Sequence, residues 1–267
     1  VAENVLLALG LTLLAGLATG IGSLLAFFTS HTNTKFLSVT LGFSAGVMIY
    51  VSMIEIFVKA KQALVHSLGT VPGSWLTVGG FFAGMLLIAS IDKFIPKQTN
   101  PHELRTVEDM SAPNEKQPDL LKMGMFTALA IGIHNFPEGI ATFTSALQDP
   151  KLGIAIAVAI AIHNIPEGIA VSVPVYFATG DKKRAFKLSF LSGLSEPIGA
   201  LAAYLFLMPF LNEVMFGIIF AAVAGIMVFI SLDELLPAAK RYDEAHLSIY
   251  GLMAGMALMA ISLLLFM

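Results

Sequence analysis

The sequence predicts an all-α integral membrane protein of eight transmembrane helices, with both termini on the extracytoplasmic side. Three observations carry that prediction. Of the 267 residues, 57% are hydrophobic and 12% charged, and the mean hydropathy is +0.83, far above a water-soluble domain. Eight segments are long and apolar enough to cross a hydrocarbon core, which takes about 20 residues. Lys and Arg sort to alternate connections, 12 on one side and 3 on the other, and the richer side is cytoplasmic.

The predicted spans are about 4–28, 36–58, 74–95, 123–147, 152–178, 185–208, 213–237 and 247–267. The first lacks a basic leader and follows Glu3, so it reads as a membrane helix and not as a signal peptide. The connections are short except for about 96–122, which is rich in Pro, Asn, Gln and charges of both signs. It reads as a flexible cytoplasmic loop. The connections after spans 1, 3, 5 and 7 hold Lys35, the cations of the long loop, Lys182–Lys187, and Lys240 with Arg241. The other side holds only Lys59, Lys61 and Lys151. Gly16, Gly20, Gly42, Gly46, Gly80 and Gly84 form pairs four residues apart, the pattern of closely packed membrane helices.

One phrase occurs twice, 29 residues apart, in otherwise apolar spans. His134-Asn135-Phe136-Pro137-Glu138-Gly139-Ile140-Ala141 returns as His163-Asn164-Ile165-Pro166-Glu167-Gly168-Ile169-Ala170, identical at seven of eight positions. Ionisable residues inside a membrane are expensive and mark ion or substrate pathways. Neither span contains Lys or Arg to pair with these carboxylates. Helical pitch puts His134 and Glu138 on one face with Asn135 beside them, and repeats this for His163, Glu167 and Asn164. If the two spans are antiparallel neighbours, two His, two Glu and two Asn converge. Pro137 and Pro166 free the carbonyls of Ile133 and Ile162 and predict a kink in each helix, which would supply further cation ligands.

Chemistry narrows the cargo. There is no cysteine, which excludes disulfides, thiolate metal sites and cysteine nucleophiles. A mixed imidazole, carboxylate and amide set favours borderline divalent metals: Zn²⁺, Fe²⁺, Mn²⁺, Cd²⁺ or Co²⁺. Transported ions must also leave, so binding is moderate and multi-site. Glu196, in Ser195-Glu196-Pro197, is a further intramembrane carboxylate beside a proline. No phosphate-binding loop and no nucleic-acid patch is present.

These residues resemble the ZIP (zinc/iron-regulated transporter-like) family, most closely its bacterial ZupT-type, GufA-like branch, over nearly the whole chain. The resemblance implies a 3+2+3 arrangement, with inverted three-helix units flanking helices 4 and 5. It implies uptake of divalent metal across the cytoplasmic (inner) membrane through a binuclear centre. His134, Glu138, His163 and Glu167 would hold the first metal. Asn135, Asn164 and Glu196 would hold the second, with the two Glu as bridges. Met48 matches a position that can supply a thioether, although ordinary core packing explains a Met equally well. Glu55 matches a helix 2 position where other branches carry His, and is a candidate gate. Asp233 and Glu234 match an exit-side position. The metal is cargo and not a cofactor; the other partner is the lipid bilayer, and a homodimer is compatible with all of this. Unlike many members, the long loop has only His102. His31, His66 and His246 read as interfacial residues, and Asp92 with Lys93 as an interfacial pair.

An intramembrane metalloenzyme is the competing class. A protease of that kind needs HExxH and a di-iron oxidase needs ExxH pairs; neither occurs in the chain. The sequence reads as a non-enzyme.

Overall fold

The computed structural model describes residues 2–28, 34–93, 117–210, 212–241 and 246–265, and among these every regular element is helical. Eight helical runs follow one another: α1 (Ala2–Ala26), α2 (34–68), α3 (Thr70–Lys93), α4 (Gln117–Gln148), α5 (Pro150–Thr179), α6 (182–210), α7 (213–241) and α8 (Leu247–Leu265). Over their described residues, all but α4 are long and apolar enough to cross a bilayer by themselves. Outward-facing Leu6, Trp75, Leu86, Phe206 and Leu265 are exposed, as expected where lipid is the solvent.

The ends follow local chemistry. Asp149 caps α5, accepting from the amides of Lys151 at 3.0 Å and Leu152 at 3.4 Å, with Pro150 next in the chain. Gly180, at φ 65°, ends α5, and Asp181 caps α6. Asp149→Ala is expected to cost about 1 kcal/mol, read as a lowered melting temperature in detergent. An unchanged melting temperature would mean that this turn is held by the helix contacts alone.

Two expectations are corrected. α2 runs to Leu68, about ten residues past its predicted end, and stops at Gly69, where φ is 89°. Lys59 and Lys61 did not end it because long cationic side chains can reach out of an apolar setting. α4 begins at Gln117, so the last residues assigned to the loop are helical; the rest of that loop, with His102, and also His31, lie outside the described residues. The helices continue through Pro137 and Pro166, which neighbouring helices permit in a membrane bundle. α6 is interrupted at Leu194, just before Glu196. α2, α6 and α7 contain π-helical turns at Val51–Ile56, Ala203–Leu207 and Ser231–Leu235.

Small residues bring backbones into contact. A Cβ on Gly16 would strike the Gly193 carbonyl, and one on Gly193 would strike that of Gly16. Gly42 and Gly46 press on Ser248 and Leu252 of α8, and Gly84 presses on Ala222 of α7. Gly20 and Gly80 meet side chains instead, Phe190 and Ala221. The main apolar cluster lies between these helices, around Leu41, Met48, Ile160, Phe220 and Met227.

Candidate metal centre

α4 and α5 are joined by the tight turn at Asp149, so the two copies of the phrase run in opposite directions side by side. Their polar residues are withdrawn from solvent almost completely. His134 and Glu167 are 2% exposed, and Asn135, Glu138, His163, Asn164 and Glu196 are 0% exposed.

The strongest contacts cross between the helices. His134 Nε2 is 3.0 Å from Glu167 Oε1, and His163 Nε2 is 3.3 Å from Glu138 Oε2. Within one copy, His163 Nε2 lies 3.7 Å from Glu167 Oε1. Helical pitch predicted that the His and Glu of each copy share a face; the structure sets the His of each helix closest to the Glu of the other. Among the described residues no three or more His, Asp or Glu are already gathered around a single point. The spacing is nevertheless suited to a cation. Ligands about 2.1 Å from a tetrahedral metal stand about 3.4 Å from one another, and the three contacts bracket that value.

α1 and α6 close the sides. The Asn164 amide donates to the Ala15 carbonyl at 2.9 Å and to Glu196 Oε1. Asn135 Nδ2 lies 3.4 Å from the Ser192 carbonyl. With its amide turned to suit both ends, Asn135 donates to the Ile131 carbonyl at 3.2 Å and to Glu167 Oε2 at 3.3 Å. The glycines of the phrase explain why these walls are so close. Gly139 abuts the Glu196 carbonyl and Gly199 abuts that of Phe136; Gly168 abuts the Thr19 carbonyl and Gly22 abuts that of Ile165. Their task is contact, which the sequence reading did not assign to them.

Burial leaves polar atoms in want of partners. Both oxygens of Glu138, both ring nitrogens of His163, His134 Nδ1, Asn164 Oδ1 and Glu196 Oε2 make no hydrogen bond. Three buried carboxylates without a compensating cation would cost several kcal/mol each, and orphaned donors and acceptors add to that. A divalent cation between the helices would satisfy several of these atoms at once.

The remaining predicted residues divide. Glu234 reaches the rim, with Oε2 3.8 Å from His134 Nδ1. Asp233 is exposed. Met48 is fully buried in the main apolar cluster. Glu55 sits in the π turn of α2 and pairs with Lys59, at 3.8 Å. His66 lies away from the centre; it and Ser67 meet Glu213 at 2.8 and 2.9 Å, joining the end of α2 to the start of α7. His246 adopts φ 65° at the start of α8.

Two features escaped the sequence reading. One is Lys59, which the charge count places in a connection and the structure places on α2 beside Glu55. The other is a second internal repeat, between α2 and α7, which comparing the chain with itself at an offset of 179 residues would have found.

The chain was also compared with known proteins. A family model described as "ZIP Zinc transporter" matches residues 93–263. The zinc transporter ZupT of Lysinibacillus sphaericus is 75% identical over 264 residues, covering 98% of each chain. That of Oceanobacillus iheyensis is 72% identical, over 98% of this chain and 99% of the relative. That of Clostridium perfringens is 61% identical, over 99% and 97%.

Proposed function

Because the chain belongs to the ZIP family of zinc transporters, we propose that it takes up Zn²⁺ through the buried centre between α4 and α5. It is a multi-pass membrane transporter and not an enzyme. The observation that carries the site is the crossed pairing of His134 with Glu167 and of His163 with Glu138, all four at or below 2% exposure. These four residues hold the first metal. Asn135, Asn164 and Glu196 hold the second, with Glu138 and Glu167 as bridges.

Fe²⁺, Mn²⁺, Cd²⁺ and Co²⁺ suit the same donors. The 12-to-3 charge bias supports extracytoplasmic termini and a cytoplasmic membrane address. Matched contacts support a 3+2+3 arrangement with inverted outer units: Gly168 of α5 on Thr19 of α1 and Gly139 of α4 on Glu196 of α6, with Gly22 on Ile165 and Gly199 on Phe136 in return.

The test is zinc flux in proteoliposomes of the purified protein, with each other metal as competitor. Saturable, protein-dependent uptake is expected; leak-level flux at every zinc concentration would sink the reading. Acid should weaken binding, because protons compete for the imidazole and carboxylate lone pairs that a metal needs. Zinc affinity is therefore expected to fall as pH drops from about 7 to about 5, through the range where free imidazole gains its proton. Equal affinity at both pH values would contradict nitrogen ligation.

A further inference from the structure

Glu55 and Glu234 are the same position in two copies of one helical segment. Residues 45–56 of α2, Ala-Gly-Val-Met-Ile-Tyr-Val-Ser-Met-Ile-Glu-Ile, align without gaps on 224–235 of α7, Ala-Gly-Ile-Met-Val-Phe-Ile-Ser-Leu-Asp-Glu-Leu. Five positions are identical, and of the rest only Ile54 against Asp233 changes character. The backbone repeats as well: both copies pass into a π turn at this point, Val51–Ile56 and Ser231–Leu235. Such turns recur at functional sites. The two helices pack in opposite directions, with Gly217 against Leu64 and Glu213 beside His66. The two carboxylates therefore lie toward opposite ends of the pair.

The copies differ in what their carboxylates touch. Glu234 Oε2 is 3.8 Å from His134 Nδ1, on the side of the ring away from the crossed pair, and its side chain is 11% exposed. The exchange that carries α7 onto α2 carries His134 onto His163. Glu55 does not take up that contact; it lies 3.8 Å from Lys59. At the position matching Lys59, α7 has Ala238. His163 Nδ1, where a docked Glu55 would sit, is buried without a hydrogen-bond partner, as is His134 Nδ1, but His134 Nδ1 has the Glu234 carboxylate at 3.8 Å.

We propose that Glu55 and Glu234 are twin gate carboxylates that dock in turn on the Nδ1 side of the two central imidazoles, and that Lys59 is the latch holding Glu55 off His163 in the state described here. A carboxylate on Nδ1 orients the ring, fixes its tautomer and leaves the Nε2 lone pair for a metal. Alternate docking would ready one imidazole at a time, from opposite sides of the membrane. The π turn supplies the means: its conversion to an α turn shifts the register by one residue, a rotation of about 100°. Lys59 is a positioning residue that acts through Glu55. The proposal rests on the transport reading, so its main test is independent of flux.

The chain has no cysteine, and Ser52, within the π turn of α2, is fully buried. A single Ser52→Cys replacement therefore reports on that turn. The rate at which a water-soluble maleimide labels it is measured alone, with Lys59→Gln, and with Lys59→Gln plus Glu55→Gln. Removal of the latch is expected to raise labelling about two-fold, the size of effect an i,i+4 ion pair supplies, and loss of Glu55 to restore the slow rate. Equal rates in all three proteins overturn the proposal, as does a Lys59→Gln increase that persists without Glu55. Zinc uptake then gives a second reading in proteins with Ser52 intact. Glu55→Gln should raise KM several-fold with Glu55→Asp largely rescuing it, whereas Glu234→Gln should lower kcat with little change in KM. Unaltered kinetics in both Gln variants also overturn it. Absence of uptake by the parent protein would strike the transport reading, while the labelling result would still decide the latch.

Discussion

Replacing His134 or Glu138 with alanine is expected to reduce zinc uptake in proteoliposomes to near background while the protein still elutes as a folded species. Each residue supplies one half of a crossed pair: His134 faces Glu167 at 3.0 Å, and Glu138 faces His163 at 3.3 Å. Loss of a group that merely supports a ligand lowers metal affinity about 10- to 100-fold, so loss of a ligand should exceed about 10-fold. The fold should survive because α4 is held by backbone contacts that these side chains do not make, such as Gly139 on Glu196 and Phe136 on Gly199. Full uptake by both variants would remove the crossed pairs from the pathway. Loss of the monodisperse peak would instead recast the pairs as structural, and zinc binding to His134→Gln would then separate the two roles.

Gly22→Val is expected to prevent assembly, and with it all activity. A Cβ at Gly22 would overlap the carbonyl oxygen, carbonyl carbon and Cα of Ile165. Those are backbone atoms of α5, so no flexible side chain can give way. Forcing extra carbons into a close-packed interface costs about 1–3 kcal/mol when the surroundings can relax, and more where they cannot. Membrane helices associate through such packing and not through a hydrophobic drive. The same interface carries the Asn164 bond to Ala15, so separating α1 from α5 also disturbs one wall of the centre. Gly10→Val and Gly79→Val are the controls, since a Cβ at either position meets no other atom. Melting temperatures in detergent should leave both controls near the parent and Gly22→Val far below or unmeasurable. Equal stability for Gly22→Val and Gly79→Val would show that the α1–α5 contact can open without consequence.

Much of the centre was legible without coordinates because the relevant physics is local. Helical pitch alone put His134 with Glu138 and His163 with Glu167 on common faces, and the cost of carboxylates in hydrocarbon singled out both phrases and Glu196. Helix runs without a gap through Pro137 and Pro166, while α6 has a one-residue break at Leu194, which no proline in the preceding turn announces. Of the adjacent acids Asp233 and Glu234, Glu234 lies 3.8 Å from an imidazole while Asp233 is exposed, because neighbours on a helix point about 100° apart.

What the sequence determined by itself was therefore the all-helical membrane class, the candidate metal-binding residues, and their grouping along each helix. The tertiary structure alone decided that each His faces the Glu of the other helix, that Asn164 meets Ala15 and Glu196, and that Gly139 and Gly168 serve contact. The reason is physical. A soluble helix shows its inward face through an apolar stripe, but a membrane helix is apolar all round. Its rotation about its own axis is set by where backbones can touch, and that depends on two helices at once.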